Sequence, residues 1–428
     1  MRTQTTIAAL AVLAACGGGG SDNTAPPPNN PPPTGTTAIG DVQGAGTSSP
    51  LDGQAVTIEG VVTGDFQEND ADDRRNLRGF YVQGVPDGDL DTSDALFVFD
   101  GVNPAIDVQV GDTVEVSGTV QEYFGETQVE ASTVRVTGNG AVLPLPLSLP
   151  AADTVNNSDG EAIPDLERYE GMLVEFSDTL TVTQLYSLGR FGEVLLAQGG
   201  RPFQFTNDNA PDNAGFDAHL DEVARRTIIL DDGMSVQNPD DIHYLEAGPG
   251  PDYSIRLGDT LTGLTGNLRY SRGSGGDGTE GWRLEPTLDP LFASTNPRPG
   301  APTIGGTLRV GGFNVLNFFT TLDTGADICG PDSNQGCRGA NNTTEFERQL
   351  DKTVTALLVS GADIFGLTEL ENNASASLSA LVDALNAREG NGAFAYIDTG
   401  VIHTDVIKGG LIYRTTAVTP VGSFALLD

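Results

Sequence analysis

The sequence predicts a multidomain protein in which all-β modules are followed by a partial α/β domain. Between residues 38 and 297, short runs that alternate apolar and polar side chains are separated by turn residues, as in antiparallel sheets. From residue 306 onward, apolar runs of strand length alternate with two segments whose apolar residues have helical spacing. The length of 428 residues is sufficient for two to four domains.

The composition is strongly acidic. The chain has 59 Asp and Glu residues against 22 Lys and Arg residues, which gives a net charge of −37 at pH 7. This charge argues against binding to nucleic acid or to anionic membranes through a broad basic surface. It leaves open a metal-dependent phosphodiesterase, whose local site can be positive within an acidic surface.

The first 16 residues have the pattern of an export signal. Arg2 is followed by an apolar run over residues 7–15, which is too short to span a membrane and ends in small residues. Its Leu-Ala-Ala-Cys end resembles the lipobox of bacterial lipoproteins, with Cys16 as the lipidated residue. We therefore expect an exported protein, either an outer-membrane lipoprotein facing outside or an extracellular protein, which contacts the membrane only through its lipid. An ordinary signal peptide with an incidental cysteine is the alternative.

Residues 17–37 predict a tether. This stretch begins with a run of glycines and then becomes rich in Pro and Asn, so it cannot bury a core. We expect it to hold the folded part of the chain away from the membrane.

Residues 38–140 predict a small Greek-key β barrel of about five strands. Alternating runs occur at residues 54–62, 80–83, 95–99 and 113–120. Between two of these runs, Asp87, Asp89 and Asp91 place carboxylates at alternate positions, which resembles a calcium loop. The full twelve-residue signature of such a loop is missing, so a solvated hairpin turn is the favoured interpretation and Ca²⁺ the alternative.

Residues 145–297 predict a second β-rich module. Its residues 171–176 resemble residues 53–58, and its residues 258–268 resemble residues 111–120 with one extra residue. We therefore expect a divergent repeat of the same barrel type. Two histidines, His219 and His243, lie in its acidic insertions without a motif around them, which favours surface or structural roles.

Residues 306–428 predict a layered domain of the order β-α-β-α-β-β. Helical spacing covers residues 344–360, with a capping box predicted at residues 344–347 and a stop at Gly361. A second helical pattern covers residues 375–389, and strand-like runs follow at 393–397 and 405–414.

Two strand-like runs of this domain each contain one polar group, Asn314 in the first and Glu369 in the second. A carboxylate at the end of a buried strand is costly unless it is paired, and a divalent metal is the usual partner. The alternatives are an amide that bonds to the backbone and an acid ahead of the following helix. The residues by themselves leave a metal site and these alternatives open.

The cysteines Cys329 and Cys337 lie eight residues apart in a loop rich in Gly, Pro and Asn. In an exported protein this arrangement favours a disulfide over free thiols or metal ligands, because Cys16 of the lipobox is the one other cysteine of the sequence and no histidine lies nearby to complete a metal site.

Several of these motifs resemble one protein family. Residues 310–315, 362–369 and 337–352 resemble the endonuclease/exonuclease/phosphatase superfamily, which has the deoxyribonuclease-I-like fold, and in particular its secreted bacterial nuclease branch. The order of motifs in residues 38–140 resembles the OB-fold module that precedes the catalytic domain in such nucleases. The resemblance implies a four-layer α/β/β/α sandwich for residues 306–428 and hydrolysis of phosphodiester bonds in DNA or RNA.

The resemblance also implies roles for individual residues. Glu369 would bind Mg²⁺ or Mn²⁺, and Asn314 would help to position the metal and the scissile phosphate. Period-two alternation places Glu371 on the same side as Glu369. Glu371 or Asn372 would then support the carboxylate of Glu369 or replace it as the metal ligand. Two arginines, Arg338 and Arg348, could contact phosphate or form surface ion pairs.

The family's Gly-Asp-x-Asn and Asp-His motifs do not occur before residue 428, and His403 lacks the expected context and is interpreted as a loop residue. We therefore expect an incomplete catalytic domain with little activity and an uncovered sheet face. Two alternatives remain open. One is a non-catalytic surface module that binds nucleic acid or saccharide, and the other is a phosphatase or another phosphodiesterase of the same superfamily.

Overall fold

The structure, a computed structural model, describes residues 35–69, 75–239, 242–245, 255–273, 278–300 and 303–426. It confirms a β-rich protein of more than one domain, with two compact units that divide between Arg298 and Pro299. The predicted signal peptide, Cys16 and residues 17–34 of the predicted tether lie outside the described residues. Within the described ranges, no helix has the length and apolar character that crossing a membrane requires.

Unit 1 begins with a closed five-stranded barrel whose strands are arranged in the order β1-β2-β3-β5-β4. A short helix, α1 (Ile39–Gln43), precedes the barrel. Side chains at alternate positions of the strands fill its core, as the predicted alternation requires. The strands are β1 (Ala55–Phe66), β2 (Gly79–Gln83), β3 (Ala95–Phe99), β4 (Asp112–Tyr123) and β5 (Glu126–Asn139).

The second module of unit 1 is an eight-stranded sheet of order β13-β10-β11-β12-β15-β14-β9-β6, with a separate two-stranded sheet of β7 and β8. Two helices, α2 (Leu188–Phe191) and α3 (Asn213–Arg225), interrupt it. The strands are β6 (Leu145–Leu147), β7 (Thr154–Asn156), β8 (Ala162–Pro164), β9 (Leu173–Phe176), β10 (Leu180–Gln184), β11 (Val194–Gln198), β12 (Thr227–Leu230), β13 (Thr260–Leu261), β14 (Leu264–Ser271) and β15 (Gly281–Pro286).

The two modules share a pairing scheme that follows the sequence repeat. In the barrel Val56 pairs with Gly118, and in the sheet the equivalent residues Val174 and Gly266 pair in the same antiparallel register. Strands β9 and β10 together correspond to the long β1, while β13 and β14 correspond to β4, because β10 pairs with β13 and β9 pairs with β14. Each long strand of the barrel is thus replaced in the second module by two shorter strands at opposite ends of the sheet. Short connections join these strands, residues 177–179 between β9 and β10 and residues 262–263 between β13 and β14.

Buried polar contacts join the two modules of unit 1. The side-chain amide of Asn267 donates to Thr63 Oγ1 at 2.9 Å, and Arg269 Nε donates to Glu126 Oε2 at 3.0 Å. Asn267 and Arg269 belong to the second module, whereas Thr63 and Glu126 belong to the barrel. Buried polar groups require such partners, so these contacts fix how the modules pack against each other.

Unit 2 contains a four-stranded sheet of order β16-β17-β19-β18 and two helices. The predicted order β-α-β-α-β-β is confirmed. Both helices contribute to one apolar core with the sheet, whereas Val310 and Leu411 on the sheet are 70% and 44% exposed. The elements are β16 (Val310–Phe318), α4 (Thr343–Ser360), β17 (Ile364–Glu371), α5 (Ala376–Glu389), β18 (Phe394–Tyr396) and β19 (Ile407–Arg414).

The predicted capping box of α4 is wrong by two residues. The N-cap is Asn342, whose side chain accepts a hydrogen bond from Glu345 N at 3.0 Å, while Glu345 Oε2 accepts one from Asn341 N at 2.9 Å. Asn and Thr are both good N-cap residues, so the sequence motif alone could not decide between Asn342 and Thr344. The predicted stop at Gly361 is confirmed, with a left-handed φ of 63°.

Candidate functional site

The candidate site lies at the carboxyl ends of two neighbouring parallel strands, β16 and β17. Their register places Asn314 opposite Thr368, which directly precedes Glu369. The Asn314 side-chain Nδ2 donates to Glu369 Oε1 at 2.7 Å. Asn314 is exposed and Glu369 half-buried, so the pair can be reached from solvent. The structure therefore brings together the two residues that the sequence singled out from separate strands.

A β-bulge turns Glu369 toward Asn314. On β17, Thr368 and Glu369 together stand opposite the single residue Gly409 of β19. Glu369 has a φ of 63°, which is uncommon for a residue other than glycine and stores backbone strain on the order of 1–3 kcal/mol. Bulges are found next to active sites, where they redirect a side chain.

The chain after Asn314 is also strained and is held by several hydrogen bonds. Leu316 and Asn317 have φ values of 53° and 50°. Leu316 N donates to Asn314 Oδ1 at 2.8 Å, and Asn317 N donates to Glu369 Oε2 at 3.2 Å. Gln349 Nε2 on helix α4 donates to Leu316 O at 2.9 Å. Sequence reasoning missed Gln349, and no local pattern could have found it, because its partner lies on another element.

Glu371, which was predicted to support or replace Glu369, lies two residues after it on β17, beyond the bulge. Glu371 is 2% exposed, and its Oε2 accepts hydrogen bonds from Thr320 N at 2.7 Å, Thr321 N at 3.1 Å and Asn373 Nδ2 at 2.7 Å. Its carboxylate therefore organises the turn that follows β16.

Asn372 and Lys408 hold the loop that precedes β19. The fully buried Asn372 donates through Nδ2 to Ile402 O at 2.6 Å and to Asp405 O at 2.8 Å. Lys408 Nζ donates to Gly400 O at 2.7 Å, and burial lowers the pKa of this amine. Asn372 Oδ1 also accepts a hydrogen bond from Ile402 N at 3.0 Å, and Lys408 Nζ also donates to Ala374 O, so the two side chains bind this loop to the end of β17 and the residues after it.

The two arginines that were predicted to contact phosphate, Arg338 and Arg348, are both exposed. Arg338 precedes Gly339, which packs so closely on Phe319 that a Cβ would clash with that side chain. Phe319 directly follows β16, so this contact brings the Arg338 segment to the end of the strand that carries Asn314. Arg348 precedes Gln349, which contacts the strained turn.

Cys329 and Cys337 form a disulfide in the structure. They are buried with Phe319 and Val406 in a small apolar cluster of their own. The disulfide therefore anchors the loop that leads to Arg338 against the residues that follow β16.

The donor atoms of the candidate site fit a hard divalent cation. Glu369 offers a half-buried carboxylate, and Mg²⁺ is commonly held by only one or two carboxylates while waters and substrate phosphate complete its shell. The Asn314 amide directs its nitrogen at Glu369, so this residue orients the carboxylate in the present arrangement. Throughout the described ranges, no three His, Cys, Asp or Glu side chains are gathered closely enough to hold a metal.

The loop that was considered as a calcium site consists of polar turns. Asp89 N donates to Asp87 Oδ1 at 2.7 Å, and Asp91 N donates to Asp89 Oδ1 at 3.0 Å. Asp87 N donates to Asp94 Oδ1 at 3.1 Å. The carboxylates of Asp87 and Asp89 therefore cap backbone N–H groups within an exposed turn.

Unit 1 contains a buried acidic network that the sequence analysis did not identify. Arg283 pairs with Glu193 and Asp231, and Arg269 pairs with Glu126 and Glu285. Burial, followed by the charge of Asp231, raises the pKa of Asp232 to about 9 and that of Glu285 to about 8. The signal available in the sequence was the presence of acids inside runs that otherwise read as core strands.

Two histidines of unit 1 make contacts that agree with structural roles. His219 Nε2 lies 2.8 Å from Phe203 O, and His243 is buried with Nδ1 2.9 Å from Asp289 Oδ1. Burial lowers the pKa of His243. His403 of unit 2 is exposed and has a φ of 51°, as fits a loop residue.

A scan of protein-family models and a search of curated proteins both gave no match to this chain. The function is therefore inferred from the residues and the geometry described above.

Proposed function

We propose that the chain belongs to a metal-dependent phosphodiesterase of the deoxyribonuclease-I-like superfamily that cleaves DNA or RNA. The observation that carries this proposal is the 2.7 Å contact between Asn314 Nδ2 and Glu369 Oε1 at the carboxyl ends of two adjacent parallel strands. Ligand sites of open α/β sheets are found at this end of the strands. The strained backbone around both residues supports a functional site, because strained backbone conformations are concentrated at active sites and ligand-binding sites.

In this proposal Glu369 holds the Mg²⁺ or Mn²⁺ ion, and Asn314 orients its carboxylate and contacts the scissile phosphate. The bound ion supplies charge stabilisation to the phosphate and the leaving oxygen. Arg338 and Arg348 are the exposed cations that would contact neighbouring phosphates. Because the chain carries a net charge of −37, such local cations are needed to draw a polyanion to this edge.

We infer further that the barrel of unit 1 is an OB-fold and that the sheet of unit 2 belongs to a four-layer α/β/β/α sandwich. The closed five-stranded barrel supports the first inference, and helices on one face of a sheet with exposed apolar residues support the second. The signal pattern at residues 1–16 supports export and anchoring through a lipid on Cys16.

The substitution Glu369→Gln tests the metal site without requiring turnover. We expect the affinity of the chain for Mn²⁺, measured by electron paramagnetic resonance of the free ion, to fall at least about tenfold, because the carboxylate supplies the charged ligand. The matched control is Glu347→Gln, which neutralises an exposed glutamate of helix α4 and should leave Mn²⁺ binding unchanged. Equal binding by wild type and Glu369→Gln contradicts the site.

Turnover decides between the substrates. Plasmid nicking, RNA cleavage and release of phosphate from a phosphomonoester are measured with Mg²⁺ on the same preparations. Low nicking activity that disappears in Glu369→Gln supports a nuclease, and release from the monoester alone supports a phosphatase. Nicking that is indifferent to Glu369→Gln contradicts the assignment of the site.

A further inference from the structure

A polar and aromatic groove lies in unit 1, lined by residues of the barrel and of the second module. It consists of two adjoining hollows of about 390 Å³ and about 430 Å³, which share Phe124 and Arg272. Both volumes lie within the range of small-molecule sites, roughly 300–1,000 Å³. The uncharged amide and hydroxyl side chains of the lining include Thr47, Gln121, Gln128, Asn156, Ser158, Ser235 and Ser271. Gln121 already donates to Glu130 Oε2 at 2.5 Å, and Ser158 already donates to Glu280.

An exposed and strained aromatic residue stands between the two hollows. Strands β4 and β5 are joined by a two-residue turn, Phe124-Gly125, because Tyr123 pairs directly with Glu126. Phe124 has a φ of 53° and is 55% exposed. Turns of this kind prefer Asn, Asp or Gly, and a bulky residue at positive φ is an outlier. Phe124 therefore lowers the stability of the turn and buries little apolar surface in return.

The turn is held rigidly against the second module. Gly125 has a φ of 85°, and a Cβ at this residue would lie 2.8 Å from the ring of Tyr270. The Tyr270 ring in turn packs edge-on against Trp282, with 5.2 Å between ring centroids. Only glycine fits this contact, so the ring of Phe124 is presented in a fixed position, and a ligand gains affinity when its site is organised beforehand.

The arginines of the groove are already paired with carboxylates of the protein. An anionic ligand would have to displace one of these carboxylates, and it would approach a chain with a net charge of −37. Both conditions disfavour an anionic ligand. The pairs are Arg78 with Glu68 at 2.8 Å, Arg269 with Glu126 at 3.0 Å and Arg272 with Glu280 at 2.6 Å.

We propose that this groove binds a neutral oligosaccharide. The C–H face of a pyranose ring packs on an exposed aromatic ring, here that of Phe124, while its hydroxyl groups exchange hydrogen bonds with amides and hydroxyls such as Asn156 and Ser235. Two hollows on either side of one aromatic ring suit a chain of sugar units better than a single compact ligand. The site lies in unit 1 and does not depend on the proposed phosphodiesterase activity of unit 2.

The full chain is titrated with cellohexaose, chitohexaose and laminarihexaose by isothermal titration calorimetry. Trp282 is the one tryptophan of the sequence and lines the groove, so its fluorescence reports on binding at this place. We expect saturable binding of at least one hexasaccharide. In Phe124→Asn we expect binding at least about tenfold weaker, while the Tm stays the same or rises because Asn suits the turn.

The control Tyr186→Ala removes an aromatic ring that is 90% exposed and does not line the groove, so it should leave binding unchanged. A second groove variant, Gln121→Ala, should weaken binding several-fold. The proposal is overturned if none of the three sugars binds, or if Phe124→Asn binds as tightly as wild type. It is also overturned if Phe124→Asn lowers the Tm by several degrees, or if a single-stranded oligothymidylate binds more tightly than the sugars.

Discussion

Glu369 and Glu371 are separated by one residue on the same strand, and both accept hydrogen bonds from backbone N–H groups after Asn314, but they differ in exposure. Glu369 is half-buried, carries a strained φ of 63° and faces Asn314. Glu371 is 2% exposed and accepts hydrogen bonds from two backbone N–H groups of the turn after β16. Glu369 can therefore be reached from solvent, whereas Glu371 is enclosed by the fold.

The substitution Glu371→Ala should destabilise unit 2 by about 3 kcal/mol, because it leaves Thr320 N and Thr321 N without their acceptor. Differential scanning calorimetry of the full chain measures the effect as a lower Tm of one transition. The matched variant Glu347→Ala removes an exposed glutamate and should change stability by no more than about 0.5 kcal/mol. Equal stability of the two variants would refute the structural role of Glu371.

At the scale of elements, helix α4 connects the core of unit 2 with the candidate site. Its apolar residues Val354 and Leu357 pack into the core of unit 2, while Gln349, one turn earlier, contacts the strained turn after Asn314. The position at which the helix begins therefore affects the position of Gln349. Asn342 sets this beginning by accepting a hydrogen bond from Glu345 N.

The substitution Asn342→Ala should cost about 1 kcal/mol, because the first turn of α4 loses its cap. Thr344→Ala, which changes the residue that the sequence suggested as the cap, should cost much less. Both free energies of unfolding are measured with urea by far-ultraviolet circular dichroism. The cap is misassigned if Thr344→Ala is the more damaging of the two changes.

At the scale of the whole molecule, the described part of unit 1 contains buried carboxyl groups that influence one another, among them Asp231, Asp232 and Glu285. Burial raises the pKa of Asp232 to about 9 and that of Glu285 to about 8, so both keep protons in the folded protein that they lose when it unfolds. The folded state then binds more protons than the unfolded state between about pH 4 and 9. Stability that these groups contribute is present below pH 4 and is lost as pH rises through 8 and 9.

We therefore expect the Tm of unit 1, followed by the fluorescence of Trp282, to fall steadily between pH 6 and 9. The variant Asp232→Asn cannot titrate and should show a shallower slope over this range. Measurement in 0.5 M NaCl separates the effect from surface repulsion, because salt screens exposed charges far more than buried ones. A Tm that rises toward pH 9, or a slope unchanged by Asp232→Asn, is incompatible with this account.

The sequence by itself determined the order of elements and the candidate pair. Alternation with period two located the strands of the barrel, helical spacing located α4 and α5, and polar residues in apolar runs identified Asn314 and Glu369. The repeat between residues 53–58 and 171–176 indicated related modules, and the strands that contain this repeat pair in the same register in both. Each of these patterns is local, because it reflects which face of one element is buried.

Only the tertiary structure decided how those elements meet. A bulge depends on the neighbouring strand, so alternation could not show where β17 departs from a regular strand. The contact of Gln349 with Leu316, the buried pairs of Arg269 and the groove around Phe124 each join residues that are distant in sequence. Their energies depend on partners that folding brings together, and no local pattern records them.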